Sequence, residues 1–220
     1  MTHLDTEIHL LREEIIEMHR LVRTQLLKCK TALLDFDRDL AQEIVASERR
    51  INALELKVDR DCENILALFN PVAVDLRFIL AVLKINSNLE RIGDHAEGIA
   101  RYVLDLDKAY SNSIPEAYKV EEAFQVAISM IDDALDALLK EDTALARKVF
   151  TKDELLDQIN RNATNATIGL IDSKSPDPLH YLNMLSIIRK LERTGDQTKN
   201  IAEEIIFFIE AKVLRHGKKI

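Results

Sequence analysis

The stretch at residues 89–100, LERIGDHAEGIA, returns at residues 191–202 as LERTGDQTKNIA, with Leu, Glu, Arg, Gly, Asp, Ile and Ala in register. Glu90 and Glu192 stand 102 residues apart in a chain of 220, so the offset is close to half the length. A match this dense at that separation is the mark of internal duplication. The chain must therefore build two related halves, each with one copy late in its sequence, and whatever it does it is expected to do with two versions of one site.

Apolar spacing sets the class of both halves. Leu4, Ile8, Leu11, Ile15, Met18, Val22, Leu26, Cys29, Leu33 and Phe36 advance by alternating threes and fours, a narrow seam over about nine helical turns. A second seam runs from Ile44 through Ile51, Leu54, Val58, Cys62 and Ile65 to Phe69. With only five Gly, four Pro and no Trp, little interrupts such helices. Asn70-Pro71 reads as the cap and first position of a third helix ending near Asp107. Tyr110 to Pro115 reads as a linker, a fourth helix opens near Pro115, and Asp142 or Thr143 caps a fifth. DSKSPDP at 172–178 breaks the chain before a sixth helix from Pro178 to about Leu214. The expected fold is all-α: two tandem, pseudo-symmetric three-helix bundles of six long helices, at residues 1–109 and 115–214, with a basic tail at 215–220 around Lys218 and Lys219.

A net charge of −8 and a pI near 5.3 argue against a nucleic-acid partner, whose phosphates draw clustered Lys and Arg. No apolar run approaches the ~20 residues that span a bilayer, and the N-terminus lacks a signal-peptide core, so direct membrane insertion is not expected and a cytoplasmic location is. Cys29 and Cys62 fall on apolar seams and read as reduced core residues rather than a disulfide or metal pair.

On a helical wheel, Ile85, Leu89, Ile92, Ala96, Ile99 and Val103 form one face, and Glu90, Asp94, Glu97 and Arg101 form an outward stripe. The second copy has Ile187, Leu191, Thr194, Thr198, Ile201 and Ile205 inside, with Glu192, Asp196, Lys199 and Glu203 outside. Carboxylates at i and i+4 repel unless a cation separates them, and Glu90/Asp94 and Glu192/Asp196 repeat that arrangement. Helix two adds Glu48, Glu55, Asp59 and Glu63 beside its seam; antiparallel packing on helix three would bring them toward Glu90 and Asp94. Oxygen-rich sites of this kind suit hard cations such as Mg²⁺, Ca²⁺ or Mn²⁺, and also iron; a solvated acidic face is the simpler alternative. The pattern lacks the Glu-x-x-His pairs of a di-iron bundle core, a phosphate-binding glycine loop and an HExxH motif. His95 adjoins Asp94, has Gln197 as its counterpart, and reads as an auxiliary ligand or a surface residue. Gly93 and Gly195 each cost about 1 kcal/mol inside a helix, so something approaches the backbone there, a neighbouring helix or a functional group.

LERIGDHA preceded by NPVAVDLR at 70–77, with LERTGDQTKNIAE one half later, resembles the PhoU family of phosphate-uptake regulators over essentially the whole chain. The resemblance implies two three-helix bundles in a cytoplasmic, often dimeric protein, without enzymatic activity, that negatively regulates phosphate uptake and the phosphate regulon. It implies coupling of the ATPase subunit of a phosphate ABC transporter to a sensor histidine kinase. It also implies metal ions, iron, zinc, manganese or magnesium, on surface Glu-x-x-x-Asp motifs. The motif carries onto Glu90 and Asp94, and onto Glu192 and Asp196; Asp59 and Glu63 join them on geometry alone. This chain departs from the family pattern at Gly98 and Arg101 in the first copy and at Gln197 and Thr198 in the second, so the two sites are not expected to be equivalent. A metal-dependent phosphatase or hydrolase and a metal-free helical adaptor are the alternatives.

Overall fold

The computed structural model describes residues 2–172 and 178–214. The described residues form six long helices and one short one: α1 (His3–Leu34), α2 (Arg38–Phe69), α3 (Ala73–Asp105), α4 (Ser113–Ala117), α5 (Val120–Lys140), α6 (Thr143–Asp172) and α7 (Pro178–Glu210). Helices α1–α3 form one bundle and α5–α7 the other. The SKSPD part of the expected break, with Asp177, and the basic tail at 215–220 lie outside the described residues.

Local chemistry explains where the helices begin and end. Thr2 and Asp5 form a reciprocal capping box at the start of α1, with bonds of 2.7 and 3.2 Å. Asp37 caps α2 by accepting from the Leu40 amide at 2.9 Å, and Asp142 Oδ1 accepts from the Ala144 amide at 2.8 Å at the start of α6. Three expected boundaries differ. Asn70 does not start α3; it terminates α2 in the left-handed conformation (φ 47°), which Asn tolerates, and α3 begins at Ala73 with Pro71 buried before it. The linker at Tyr110 to Pro115 contains the start of α4, so the fourth long helix opens at Val120 rather than near Pro115. The last long helix ends at Glu210, short of Leu214.

Each bundle buries the expected stripe: Ile85, Leu89, Ile92, Ala96, Ile99 and Val103 are inaccessible or nearly so, as are Ile187, Leu191, Thr194, Thr198, Ile201 and Ile205. Cys29 and Cys62 are buried free thiols. Desolvation raises both, Cys62 to about 12, so neither supplies a thiolate at neutral pH.

The bundles join through α3 against α7 and α1 against α5, leaving α2 and α6 on the flanks. Both junctions are antiparallel. Lys84 meets Glu204 at 2.9 Å, Asn200 donates to Asn88 at 3.2 Å, and Lys190 packs on Gly98. Shifted by the 102-residue offset, the Asn88/Asn200 contact becomes Gly98/Lys190, so these two contacts are images of one another under a pseudo-two-fold. Across α1 and α5, Arg12 pairs with Glu141 and Lys30 with Glu121, both at 2.9 Å, and Arg23 pairs with Asp132. The two signature strings thus run past each other in opposite directions at the centre of the molecule.

Candidate functional site

Which carboxylates meet is decided where α2 and α6 cross the two signature glycines. A Cβ on Gly93 would fall 2.9 Å from Ile51 Cδ1 and 3.4 Å from Glu48 Oε2; on Gly195 it would fall 2.7 Å from Leu156 Cδ1 and 3.4 Å from Asp153 Oδ1. Glycine therefore lets a large apolar side chain and an acidic one lie directly on the helix backbone, in both copies. Of the two readings of the glycines, the structure shows the neighbouring helix: it packs there, and that packing seats a carboxylate. Gly93→Val and Gly195→Val are each expected to cost about 2 kcal/mol by overpacking, measured by urea unfolding; less than 0.5 kcal/mol at either would contradict the close crossing.

In the first copy, Glu48 is 7% exposed and neither of its carboxylate oxygens accepts a hydrogen bond. Burial, with Asp94, Glu97 and Glu90 nearby, pushes its carboxyl to about 7. Glu90 is raised by burial and then by Asp94 and Glu55, with Arg91 opposing; Glu55 is raised by burial and then by Asp59 and Asp94. Glu48, Glu55, Glu90 and Asp94 thus share one strongly negative field, and the Arg101 guanidinium engages Glu97 at 2.6 Å on its rim. An open cleft of about 530 Å³ beside them is lined by Glu48, Glu97, Arg49 and Arg101, among others.

The expected antiparallel packing of α2 on α3 extends to Asp59, whose Oδ1 accepts from the Asn86 amide at 2.9 Å. Glu63 is not brought to the group. It is exposed one turn beyond Asp59, opposite a part of α3 about 12 Å along the axis from Glu90. His95, read as an auxiliary ligand or a surface residue, points away from the carboxylates. It is half-buried on the α7 side of α3, 3.4 Å from the Thr194 hydroxyl, and burial followed by Lys190, Arg193 and Arg91 holds its ring at about 4.

The second copy holds Asp153, Asp157, Glu192 and Asp196. Asp153 is 5% exposed and, like Glu48, leaves one oxygen, Oδ1, without a partner. Its Oδ2 accepts from Lys199 Nζ at 2.6 Å, and the same ammonium bonds Asp196 Oδ1 at 3.0 Å. Burial alone would lower Lys199, but the bonds to Asp153 and Asp196 outweigh it and hold the ammonium well above the ordinary lysine range. Glu192 is raised by burial and by Asp196 and Asp157.

Sequence reasoning placed Glu48 beside the seam without assigning it to the site, and it missed Asp153. The reason is register: Glu48 and Asp153 are 105 residues apart, so the 102-residue offset of the signature pairs Glu48 with Phe150. The usable signal was an acidic residue three positions before the large apolar residue that meets the glycine, Ile51 in one half and Leu156 in the other. Among the described residues, no three His, Cys, Asp or Glu side chains converge as a ready-made ligand set. The first cluster is a set of carboxylates in a shared field rather than a preformed cage.

Residues 15–103 and 120–205 match the family model described as PhoU domain. A phosphate-specific transport system accessory protein PhoU homolog from Pseudomonas putida is 34% identical, over 96% of this chain and 82% of its own length. The phosphate-specific transport system accessory protein PhoU of Edwardsiella tarda is 31% identical, over 96% of this chain and 86% of that protein. The crystal structure of PhoU from Pseudomonas aeruginosa superposes with a TM-score of 0.88 at 31% identity, covering 96% of this chain and all of that one.

Proposed function

Since the chain belongs to the PhoU domain family, we propose that it is a cytoplasmic, non-enzymatic negative regulator of phosphate uptake and of the phosphate regulon. It acts as a homodimer that couples the ATPase subunit of a phosphate ABC transporter to a sensor histidine kinase. The observation that carries this reading is the likeness, over 96% of the chain, to accessory proteins of phosphate-specific transport. No helix among the described residues is long and apolar enough to cross a membrane, which agrees with action on a transporter from beside the bilayer. Leu68, Val72, Val74, Leu76 and Leu80, all exposed around the α2–α3 turn, offer a partner apolar anchoring points.

The first cluster supplies a cation site to this regulator. Its donor set is all oxygen, and the two partnerless oxygens of buried Glu48 beside Glu90 and Asp94 fit a hard metal ion. Glu48, Glu90 and Asp94 would hold the ion, and Glu55 and Glu97 share the same negative field. A bound cation would neutralise the cluster and present positive charge to phosphate or to an acidic partner surface.

Capture of the transporter ATPase subunit and of the kinase's cytoplasmic portion by the immobilised chain tests the reading, with Mn²⁺ or EDTA present. Capture of both, weakened in Leu76→Asp, is the expected result. Capture of neither in either buffer overturns it.

A further inference from the structure

The two clusters differ in the sign of the charge at one position of the repeated string. Under the 102-residue offset, Lys199 stands where the first copy has Glu97. In the first copy that position adds a fifth carboxylate to Glu48, Glu55, Glu90 and Asp94. In the second it delivers an ammonium directly between the buried Asp153 and Asp196, at 2.6 and 3.0 Å.

We propose that Lys199 Nζ is the resident cation of the second cluster, occupying between the α6 and α7 carboxylates the place that a metal ion takes between those of α2 and α3 in the first, so that of the two clusters only the first binds metal. The inference deepens the metal reading of the first cluster and rests on it. Its physical basis is charge and tethering. An ammonium among carboxylates removes the repulsion that makes such a cluster draw in a cation. Being attached to the same helix as Asp196, it needs no association step and is always at hand. A metal ion entering the second cluster must first displace it, which strips from Asp153, a carboxylate that is itself nearly inaccessible, the ammonium bonded to it. Among the described residues no Lys or Arg is bonded to Glu48, Glu90 or Asp94: Arg101 pairs with Glu97, and both Glu48 oxygens lack a hydrogen-bond partner. The partly exposed Lys199 stem, 32% accessible, runs along the helix to the cluster and is long enough to bridge both carboxylates.

The test is a Mn²⁺ titration of the full chain, followed by the electron paramagnetic resonance signal of free Mn²⁺, on wild type and variants whose folding is verified by circular dichroism. Wild type and Lys199→Arg are expected to take up one equivalent, lost in Asp94→Asn. Lys199→Met is expected to take up two, the additional one lost again when Asp196→Asn is added. A folded Lys199→Met that binds no more metal than wild type overturns the proposal, as does a wild type that binds two equivalents, one of them lost in Asp196→Asn. A wild type that binds none while Lys199→Met binds one sinks the metal reading of the first cluster and upholds the role of Lys199. If Lys199→Met is less stable, its melting temperature should rise with added Mn²⁺ while that of Lys199→Met/Asp196→Asn does not; a rise equal in both overturns the proposal.

Discussion

Phe78→Ala is expected to destabilise the fold by about 4 kcal/mol and to lower its melting temperature by roughly 10 °C. Phe78 is 2% exposed and sits where three helices meet. Its ring lies edge-on to Phe208 of α7 at 5.2 Å between centroids, and the Arg12 guanidinium of α1 stands 4.7 Å from its centre. Arg12 in turn pairs with Glu141 at the end of α5, so removing the ring loosens the α1, α3 and α7 contacts and frees the cation that ties them to α5. Large-to-small changes cost most where neighbours cannot collapse into the space, and rods packed along their length have little freedom to do so. Leu80→Ala, two residues along α3 but facing solvent, serves as the control and is expected to cost under about 1 kcal/mol. Urea unfolding followed by far-ultraviolet circular dichroism measures both; equal losses would show that Phe78 is not a junction between bundles.

Acid is expected to weaken the fold through His19, by up to about 3 kcal/mol between pH 6.5 and pH 4. His19 is fully buried in α1, with neither ring nitrogen in a well-formed hydrogen bond. Desolvation dominates, offset in part by the Ile131 carbonyl and by Asp132, and the ring is held at about 4 against an ordinary 6.5. Above pH 6.5 the ring is neutral in both states and its full contribution is present. As the pH falls toward 4, the unfolded chain binds a proton that the folded chain refuses, so stability is lost over that window and levels off below it. Asp132 does not rescue the charged ring, because the Arg23 guanidinium already occupies that carboxylate. His19→Leu should leave stability at pH 7 unchanged or slightly higher and lose about 2 to 3 kcal/mol less than wild type on acidification to pH 4.5. Parallel losses in the two proteins would refute the assignment.

The six expected long helices recur in order and with the expected inward face because those properties are local; the short α4, inside the expected linker, is the addition. A seam such as Leu11, Ile15, Met18 and Val22 can be buried in only one way once the backbone is helical. Boundaries were less legible. Asn70 caps whichever helix its backbone dihedrals allow, and here it adopted the left-handed conformation that ends α2 rather than the extended one that starts α3. At the site, the Glu90/Asp94 and Glu192/Asp196 pairs were visible as i, i+4 carboxylates, whereas Glu48 and Asp153 acquire meaning only by lying across glycine. His95, beside Asp94 in sequence, faces the other bundle because neighbouring positions on a helix diverge by about 100°.

The duplicated string determined, without any coordinates, that the chain has two halves, which helix of each carries the signature, and which side of that helix is buried. It also placed a Glu and an Asp one turn apart in each copy and a Gly between them. Only the tertiary structure decided what those groups face. It set Glu48 over Gly93 and Asp153 over Gly195, ran the two strings antiparallel past one another, and turned Lys199 into the cluster that Glu97 enlarges in the other half. The physical reason is that a helix's own period specifies its faces, while the register between helices is specified by loop lengths and packing. A three-residue difference between the halves was enough to hide the match between Glu48 and Asp153, and with it the contrast between a cluster that lacks a cation and one that carries its own.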